Sequence, residues 1–410
     1  MLDDGTSTTT PATNGSGHIS TEANAGVGTT VRIEREREGA TAQDRVTQRF
    51  TVLGQGTALP EFSIGIDESL TYAREHFCKN EEQARRLKAL YRLAGVKNRH
   101  TVVLGGEEGS PNRQPFFPAP ADLEDLGPST RDRLEKYEQD SLPLAIEASL
   151  KALDDADTKA DDITHLITVS CSGFAAPGVD IGLIKQLGLR NTVQRTHVGF
   201  MGCHGALNGL RVARGLTESD PNARVLLCAV ELCSLHYHYG WDNERVVANA
   251  LFSDGAAAVV GAAQSGDGNG AWRIGATGSC LIPDSEDAMT WRIGDHGFDM
   301  SLSARVPQLI ATHLGDWIKS WLAESDMTLS DVRSWAVHPG GPRILGSVVS
   351  ALELERSVVD VSREVLRDHG NMSSPTLLFI LKKLREDRAE LPCVALGFGP
   401  GLMAEATLFV

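Results

Sequence analysis

Apolar residues recur along this chain in two alternating rhythms. Short apolar runs such as "HLITVS" (165–170), "RTHVGF" (195–200) and "RVLLCAVEL" (224–232) read as strands. Between them lie stretches with apolar positions at helical spacing: "SLPLAIEASLKAL" (141–153), "GVDIGLIKQLGL" (178–189) and the segment after Cys203. In that last segment Ala206, Leu207, Leu210, Val212, Ala213 and Leu216 mark one face, with Arg211 and Arg214 off it, so a helix should begin close to Cys203. Strands alternating with such helices predict βαβ units and a mostly parallel sheet buried on both faces.

Upstream, "RFTVLGQGTALPE" reads as a short strand ended by Pro60, followed by a helical stretch from about Asp67 to Leu93 and a looser, Pro-rich segment from Gly105 to Pro128. Downstream, "LFSDGAAAVVGAAQSGDG" gives a turn and a small-residue strand. Then come a helix from about Leu302 to Ala323, the strand "SWAVHP", helices near Pro342 to Leu354 and Ser374 to Arg385, and a terminal hairpin, "CVALGFGPGLMAEATLFV". Both parts place a reactive residue where a strand ends and a helix begins, Cys203 in one, His338 and Asn371 in the other. Ligands of open α/β folds bind outside the carboxyl ends of strands, so a single shared crevice is the economical arrangement.

Composition changes this picture at the N-terminus. Residues 1–45 are rich in Thr, Gly, Ser, Asn and charge and cannot bury enough apolar surface to offset the entropy of ordering, so they are expected to form a tail. The remaining chain is long enough for two packed units, divided as 46–265 and 266–410. A net charge of -15 argues against nucleic acid or an anionic membrane surface as partner, although a local basic patch could still meet a CoA ester. The seven cysteines form no CxxC pair and no Cys/His spacing suited to zinc, and their odd number fits free thiols in a reducing cytoplasm. No apolar run approaches the ~20 residues of a membrane span, and no signal peptide is evident.

The candidate chemistry centres on "GFMGCHGALNGLRVARGL" (199–216), in which a cysteine sits between glycines ahead of a helix. A thiol there lies at the positive end of the helix dipole, which favours the thiolate; a small, inert packed cysteine is the plainer alternative. A nucleophilic cysteine needs a base, and acyl transfer also needs donors for the developing oxyanion. His338 ends an apolar strand and is followed by Pro339, Gly340 and Gly341. Asn371 lies in "HGNMSSPTLLFIL", where a turn or cap role is equally open.

Several separated motifs, "HLITVSCSGFAAPGVD", "GCHGALNGLRVA", "ALFSDGAAAVV", "VHPGGPRIL", "GNMSSPT" and "GFGPGL", resemble those of the type III polyketide synthases, the chalcone and stilbene synthase family. The resemblance runs from "VLGQGTALPE" to the C-terminus. It implies a thiolase-like α/β fold, with two similar halves in a five-layered αβαβα arrangement, and a homodimer. It implies Cys203 as the acyl-carrying nucleophile, His338 and Asn371 as its partners, and Phe252 as a gatekeeper between a CoA tunnel and the cavity. Acyl-CoA and malonyl-CoA are the implied substrates, with no metal, nicotinamide or carrier protein. The chain agrees in lacking a Walker motif or a G-x-G-x-x-G that opens a helix after a strand.

The resemblance also marks departures. Cys171, Cys233 and His236 stand where plant members carry cavity threonines, Met300 where a second gatekeeping phenylalanine is usual, and Ala176 where a methionine reaches across the dimer. Met and Ala there suit a deeper apolar cavity and an aliphatic starter, or else simply repack. Arg86 and Arg343 are assigned to substrate binding, with Arg85, Lys88 and Arg92 as further cations near the first. Two other readings stay open: a β-ketoacyl synthase III that condenses once with a carrier-bound malonyl group, and a non-catalytic acyl-binding subunit of the same fold.

Overall fold

The computed structural model describes residues 49–110, 113–122, 124–264 and 271–410. The expected tail, 1–45, lies outside the described residues. The first half of the described chain runs β1 (Arg49–Ala58), β2 (Ser63–Gly65), α1 (Ile66–Phe77), α2 (Glu81–Ala94), β3 (Asn98–His100), α3 (Thr130–Asp155), β4 (His165–Ser170), α4 (Val179–Leu187), β5 (Gln194–Gly199), α5 (Gly205–Ser219), β6 (Arg224–Leu232), α6 (Asn243–Leu251) and β7 (Asp254–Gln264). It continues as β8 (Ile274–Leu281), β9 (Met289–Gly294), β10 (Gly297–Leu302), α7 (Val306–Ala323), β11 (Ser334–Val337), α8 (Pro342–Ala351), α9 (Asp360–His369), α10 (Ser374–Glu386), β12 (Cys393–Gly399) and β13 (Met403–Phe409).

Two larger sheets organise these elements, one in the order β1-β7-β6-β4-β5 and the other β11-β12-β13-β8. The expectation of a mostly parallel sheet is corrected. Only β4 with β5, β4 with β6, and β11 with β12 are parallel among the larger sheets, while β7 runs against both its neighbours and β13 against both of its own. For β12 and β13 the cause is local: the few residues between Gly399 and Met403 can join strands only as an antiparallel hairpin.

Side-chain alternation on β6 shows how the layers form. Val225, Leu227 and Ala229 face a core shared with Ala206 and Leu210 of α5, Leu377 and Leu381 of α10, and Ala395 and Phe409 of the other sheet. The alternate residues Leu226, Cys228 and Val230 face outward onto Ala145, Ala148 and Ala152 of α3 and Leu183 of α4. On the far side, Ile310, Leu314 and Ile318 of α7 and Val348 of α8 cover Val394 and Leu396 of β12. The layers are therefore helix, sheet, helix, sheet, helix, the five-layered αβαβα order expected from the sequence.

Several elements differ from the sequence reading in extent. The helical stretch 67–93 is two helices, broken because Asn80 caps α2 by accepting from the Gln83 N–H at 3.0 Å. The helix around 141–153 extends back to Thr130, where Ser129 and Asp132 form a capping box, and it carries Pro143 in its interior. Helix α7 starts at Val306, because Leu302 is the last residue of β10. Strands β8, β9 and β10 and helix α9 had no counterpart in that reading. Among the described residues no helix is long and apolar enough to cross a membrane.

The α3 layer lies unusually close to β1. A Cβ placed on Gly56 would sit 2.1 Å from the Ala148 carbonyl oxygen, and one on Gly54 would sit 2.4 Å from the Ala156 nitrogen. Both obstacles are backbone, which cannot swing aside. Gly56→Ala should therefore lower the denaturation midpoint by an amount equivalent to about 1–3 kcal/mol, measured by urea or thermal melting. An unchanged midpoint would show that the layer is free to move apart.

Candidate active site

Cys203 lies between β5 and α5, in a single 3₁₀ turn, Gly202–His204, that leads into the helix. The expectation of a helix opening at this cysteine is met, and the thiol is 9% exposed. His338 follows β11 and is fixed by its own N–H, which donates to the Leu396 carbonyl of β12 at 2.8 Å. Its ring is 1% exposed, and neither ring nitrogen has a hydrogen-bond partner in the surrounding wall.

Asn371 corrects one expectation, since it does not follow a strand but lies in the connection between α9 and α10. Its backbone is tied to the segment around Phe252: the Asn371 N–H donates to Leu251 O at 2.8 Å, and the Ser253 N–H donates to Asn371 O at 2.9 Å. Its side-chain oxygen accepts from the Ser373 N–H at 2.8 Å, so the amide NH₂ is left as the outward-facing donor. Arg99, on β3, holds the same segment from outside through the Phe252 and Asn249 carbonyls and Ser69 Oγ.

These positions converge. Cys203, Phe252, Met300, His338 and Asn371 line one small cavity together with Met289 and Leu302. Cys203, Phe252 and Met300 also line a larger cavity with Cys171, Cys233, His236, Trp291 and Ser373. Cys203 thus stands where the two spaces share a wall, with Phe252 beside it. The same larger cavity is also lined by Val103, Leu104, Phe117, Ile64 and Tyr91.

Burial works against the thiolate that the helix dipole favours. Burial pushes the Cys203 thiol up to about 11, although hydrogen bonds from the Ser373 and Asn371 side chains work in the opposite direction. Burial, followed by the nearby His204, holds the His338 imidazole down at about 3. The same burial opposes both charges and so works toward the neutral pair of thiol and imidazole. The free ring nitrogens of His338 leave it able to accept the thiol proton when the sulfur attacks.

The other cavity residues divide by what their polar atoms do. His236 lines the larger cavity, but both its nitrogens are engaged in the wall: Nδ1 accepts from the Phe298 N–H at 3.0 Å, so Nε2 carries the proton and donates to Ser172 O at 2.6 Å. Stacked on Phe298 at 4.2 Å and held at about 3 by burial, it is a neutral, fixed plate. Cys171 and Cys233 also line the cavity, and burial together with Glu231 pushes both thiols well above their ordinary range.

Arg86 and Arg343 lie outside both cavities. Arg86 sits over the Trp241 ring at 5.6 Å and donates to Asn243 Oδ1 at 3.2 Å, while Arg343 is exposed in the first turn of α8. Arg85, Lys88 and Arg92 are likewise exposed on α2. Ala176 is exposed.

Sequence reasoning missed Glu231, which is fully buried and ties the loop after β4 to the start of α10. Its signal was present, because an acid inside the apolar run "RVLLCAVEL" must be either paired or turned to solvent. Trp291 on the unrecognised hairpin was also missed; its Nε1–H donates to Cys171 O at 2.8 Å. Among the described residues no cluster of three or more His, Cys, Asp or Glu side chains is placed to hold a metal ion.

Comparison with known proteins follows this geometry. Residues 37–276 match the family model for chalcone and stilbene synthases, N-terminal domain, and residues 274–410 match the C-terminal domain. The chain is 34% identical over 393 residues to 1,3,6,8-tetrahydroxynaphthalene synthase of Streptomyces peucetius subsp. caesius, covering 92% of this chain and 99% of that one. It is 30% identical over 380 residues to the alpha-pyrone synthesis polyketide synthase-like Pks18 of Mycobacterium tuberculosis, with coverage of 90% and 97%. The crystal structure of PKS-I from the brown alga Ectocarpus siliculosus superposes with a TM-score of 0.83 at 30% identity, over 90% of this chain and 99% of that one. With both domain models matched end to end and the thiolase-like layering shared with solved relatives, the chain belongs to the chalcone and stilbene synthase family, the type III polyketide synthases.

Proposed function

We propose that Cys203 carries the growing acyl chain of an iterative, decarboxylative condensation, with His338 and Asn371 as its proton acceptor and oxyanion donors. The observation that carries this reading is the meeting of the three side chains, from connections far apart in sequence, in one small cavity beside Phe252. Attack of the Cys203 sulfur on a starter acyl-CoA forms the new thioester as the thiol proton passes to His338; that proton then leaves with the departing CoA thiolate as its thiol. The Asn371 NH₂ and the imidazolium N–H stabilise the tetrahedral oxyanion.

Malonyl-CoA then occupies the same space and loses carbon dioxide. No base is needed, because the electron pair of the breaking bond becomes the enolate of acetyl-CoA, whose oxygen meets the same two donors. Apolar Phe252 and Met300 disfavour the charged carboxylate before it leaves. The enolate carbon attacks the Cys203 thioester, releases the sulfur and extends the chain by two carbons. Repetition gives a poly-β-keto chain that closes in the larger cavity to a pyrone, resorcinol or related ring.

The starter is aliphatic on this reading, since Val103, Leu104, Ile64, Met289 and Met300 line the larger cavity together with Cys203. CoA thioesters are the only small molecules required, with Arg86 and Arg343 on the solvent side to meet their phosphates. The half carrying the nucleophile spans 46–265 and the half carrying His338 and Asn371 spans 266–410, in a cytoplasmic homodimer.

Incubation with a panel of acyl-CoA starters and labelled malonyl-CoA, followed by mass spectrometry, should release a cyclised polyketide without any carrier protein. A strict demand for acyl carrier protein would assign the chain to single-step condensation instead. Cys203→Ala should abolish condensation, and His338→Gln or Asn371→Ala should slow malonyl-CoA decarboxylation by about 10²–10³; wild-type decarboxylation in both variants would remove their assigned roles.

The resting charge state gives a separate test. With the thiol near 11, iodoacetamide inactivation at Cys203 should accelerate with each step between about pH 7 and 10 without levelling off. A plateau at neutral pH would show a standing thiolate and imidazolium pair.

A further inference from the structure

The residue after the nucleophile is a histidine that the mechanism above does not use. His204 is 3% exposed, in the 3₁₀ turn that carries Cys203. Its Nδ1 lies 2.7 Å from Asn208 Oδ1, one helical turn onward. Asn208 Nδ2 in turn donates to Glu405 Oε1 of β13 at 3.1 Å. Glu405 also accepts from Ser279 Oγ of β8 and from Arg211, whose side chain is 38% exposed. A polar chain therefore runs from beside Cys203 to the protein surface.

This chain fixes a proton. A carboxylate ion-paired to Arg211 can only accept, so Asn208 must turn its NH₂ to Glu405 and its oxygen to His204. An amide oxygen can only accept as well, so His204 Nδ1 must carry a hydrogen. The neutral ring then has its lone pair on Nε2, and that atom has no hydrogen-bond partner. It lies against β12, where a Cβ on Gly399 would be 2.6 Å away. The same strand holds His338 through the Leu396 carbonyl, and His338 likewise has both ring nitrogens free. The charged and titratable groups facing His204 are Arg211 of its own helix, Glu405 of β13, His338 after β11, and its neighbour Cys203. From β12 the contacts on His204 are Gly397 and Gly399.

We propose that His204 is a positioning residue for the condensation: locked by Asn208 and Glu405 as its Nδ1–H tautomer, it keeps a neutral ring against β12, the strand that also holds His338, and protonation at its free Nε2 opposes uptake of the Cys203 proton by His338. The charge logic is direct. A cation on His204 opposes a second cation on His338, and His204 is the group that, after burial, works against protonation of His338. Activity should therefore fall on the acid side when His204 protonates, and the Asn208 contact should govern where that happens. This inference rests on the assignment of Cys203 and His338.

The pH dependence of malonyl-CoA decarboxylation and of product formation tests it in two directions. His204→Phe and His204→Gln both remove the protonatable ring and should move the acid limb to lower pH. Asn208→Asp puts a carboxylate against Nδ1, stabilises the protonated ring and should move the limb upward by about one pH unit. A merely structural role would lower activity at all pH values without moving the limb. An acid limb that stays in place in His204→Gln and Asn208→Asp, in preparations with wild-type melting behaviour, overturns the inference. Failure of the underlying assignment is distinguishable, because it appears as product formation by Cys203→Ala whatever the His204 variants do.

Discussion

The geometry of the site depends on one buried carboxylate. Glu231 sits at the end of β6, and every group around its two oxygens donates: the Cys171 N–H at 2.9 and 3.1 Å, the Ser172 N–H at 2.9 Å, Ser172 Oγ at 2.6 Å and Ser374 Oγ at 2.7 Å. Burial raises its pKa, and these hydrogen bonds work against that rise. The acid gathers the carboxyl ends of two adjacent strands and the first turn of α10 into one cluster. Ser373, next in line, bonds the Cys171 thiol at 3.3 Å, and its N–H fixes the Asn371 carboxamide. Without this anchor, the loops that carry the cavity wall and Asn371 would have no common reference.

The anchor also shows how the cavity handles polarity. A dry chamber strengthens every charge created within it, so unengaged polar atoms there are costly and engaged ones become inert. Most of the wall follows the second course: His236 has both nitrogens committed to backbone groups, and Trp291 is turned to the Cys171 carbonyl. Against that background the free nitrogens of His338 stand apart. An open donor or acceptor in such a chamber is where transition-state stabilisation can exceed ground-state binding.

Much of the fold was legible because its period is strict. β4, β6 and α5 fall close to where their apolar rhythm puts them, and Cys203 was found from the glycines and helix that bracket it. The β9–β10 hairpin was not legible, since "MTWRIGDHGFDMSL" mixes charge with apolar residues and pairs across a short turn rather than burying both faces. The missing piece mattered, because that hairpin supplies Met289, Trp291, Phe298 and Met300 to the cavity. Asn371 was recognised by its flanking motif but placed after a strand, because a loop between helices leaves the same Gly and Ser signature as a strand end. The network of Glu231 and the link from Asn208 beside His204 to Glu405 escaped for a different reason: these partners lie far along the chain, and no local pattern encodes a contact between β6 and α10 or between α5 and β13.

The same remoteness explains why the reaction type is easier to read than the product. Cys203, His338 and Asn371 each sit in a short connection whose backbone demands leave a motif in the sequence. The cavity has no such motif, since its wall combines Tyr91 from α2, Val103 and Phe117 from irregular loops, and Met300 from β10. Each of these residues can change volume or polarity without disturbing a cap, a turn or a strand register. Chemistry is thus set by positions the backbone constrains, and chain length and ring closure by positions it leaves free, so members of one family can share the first while diverging in the second.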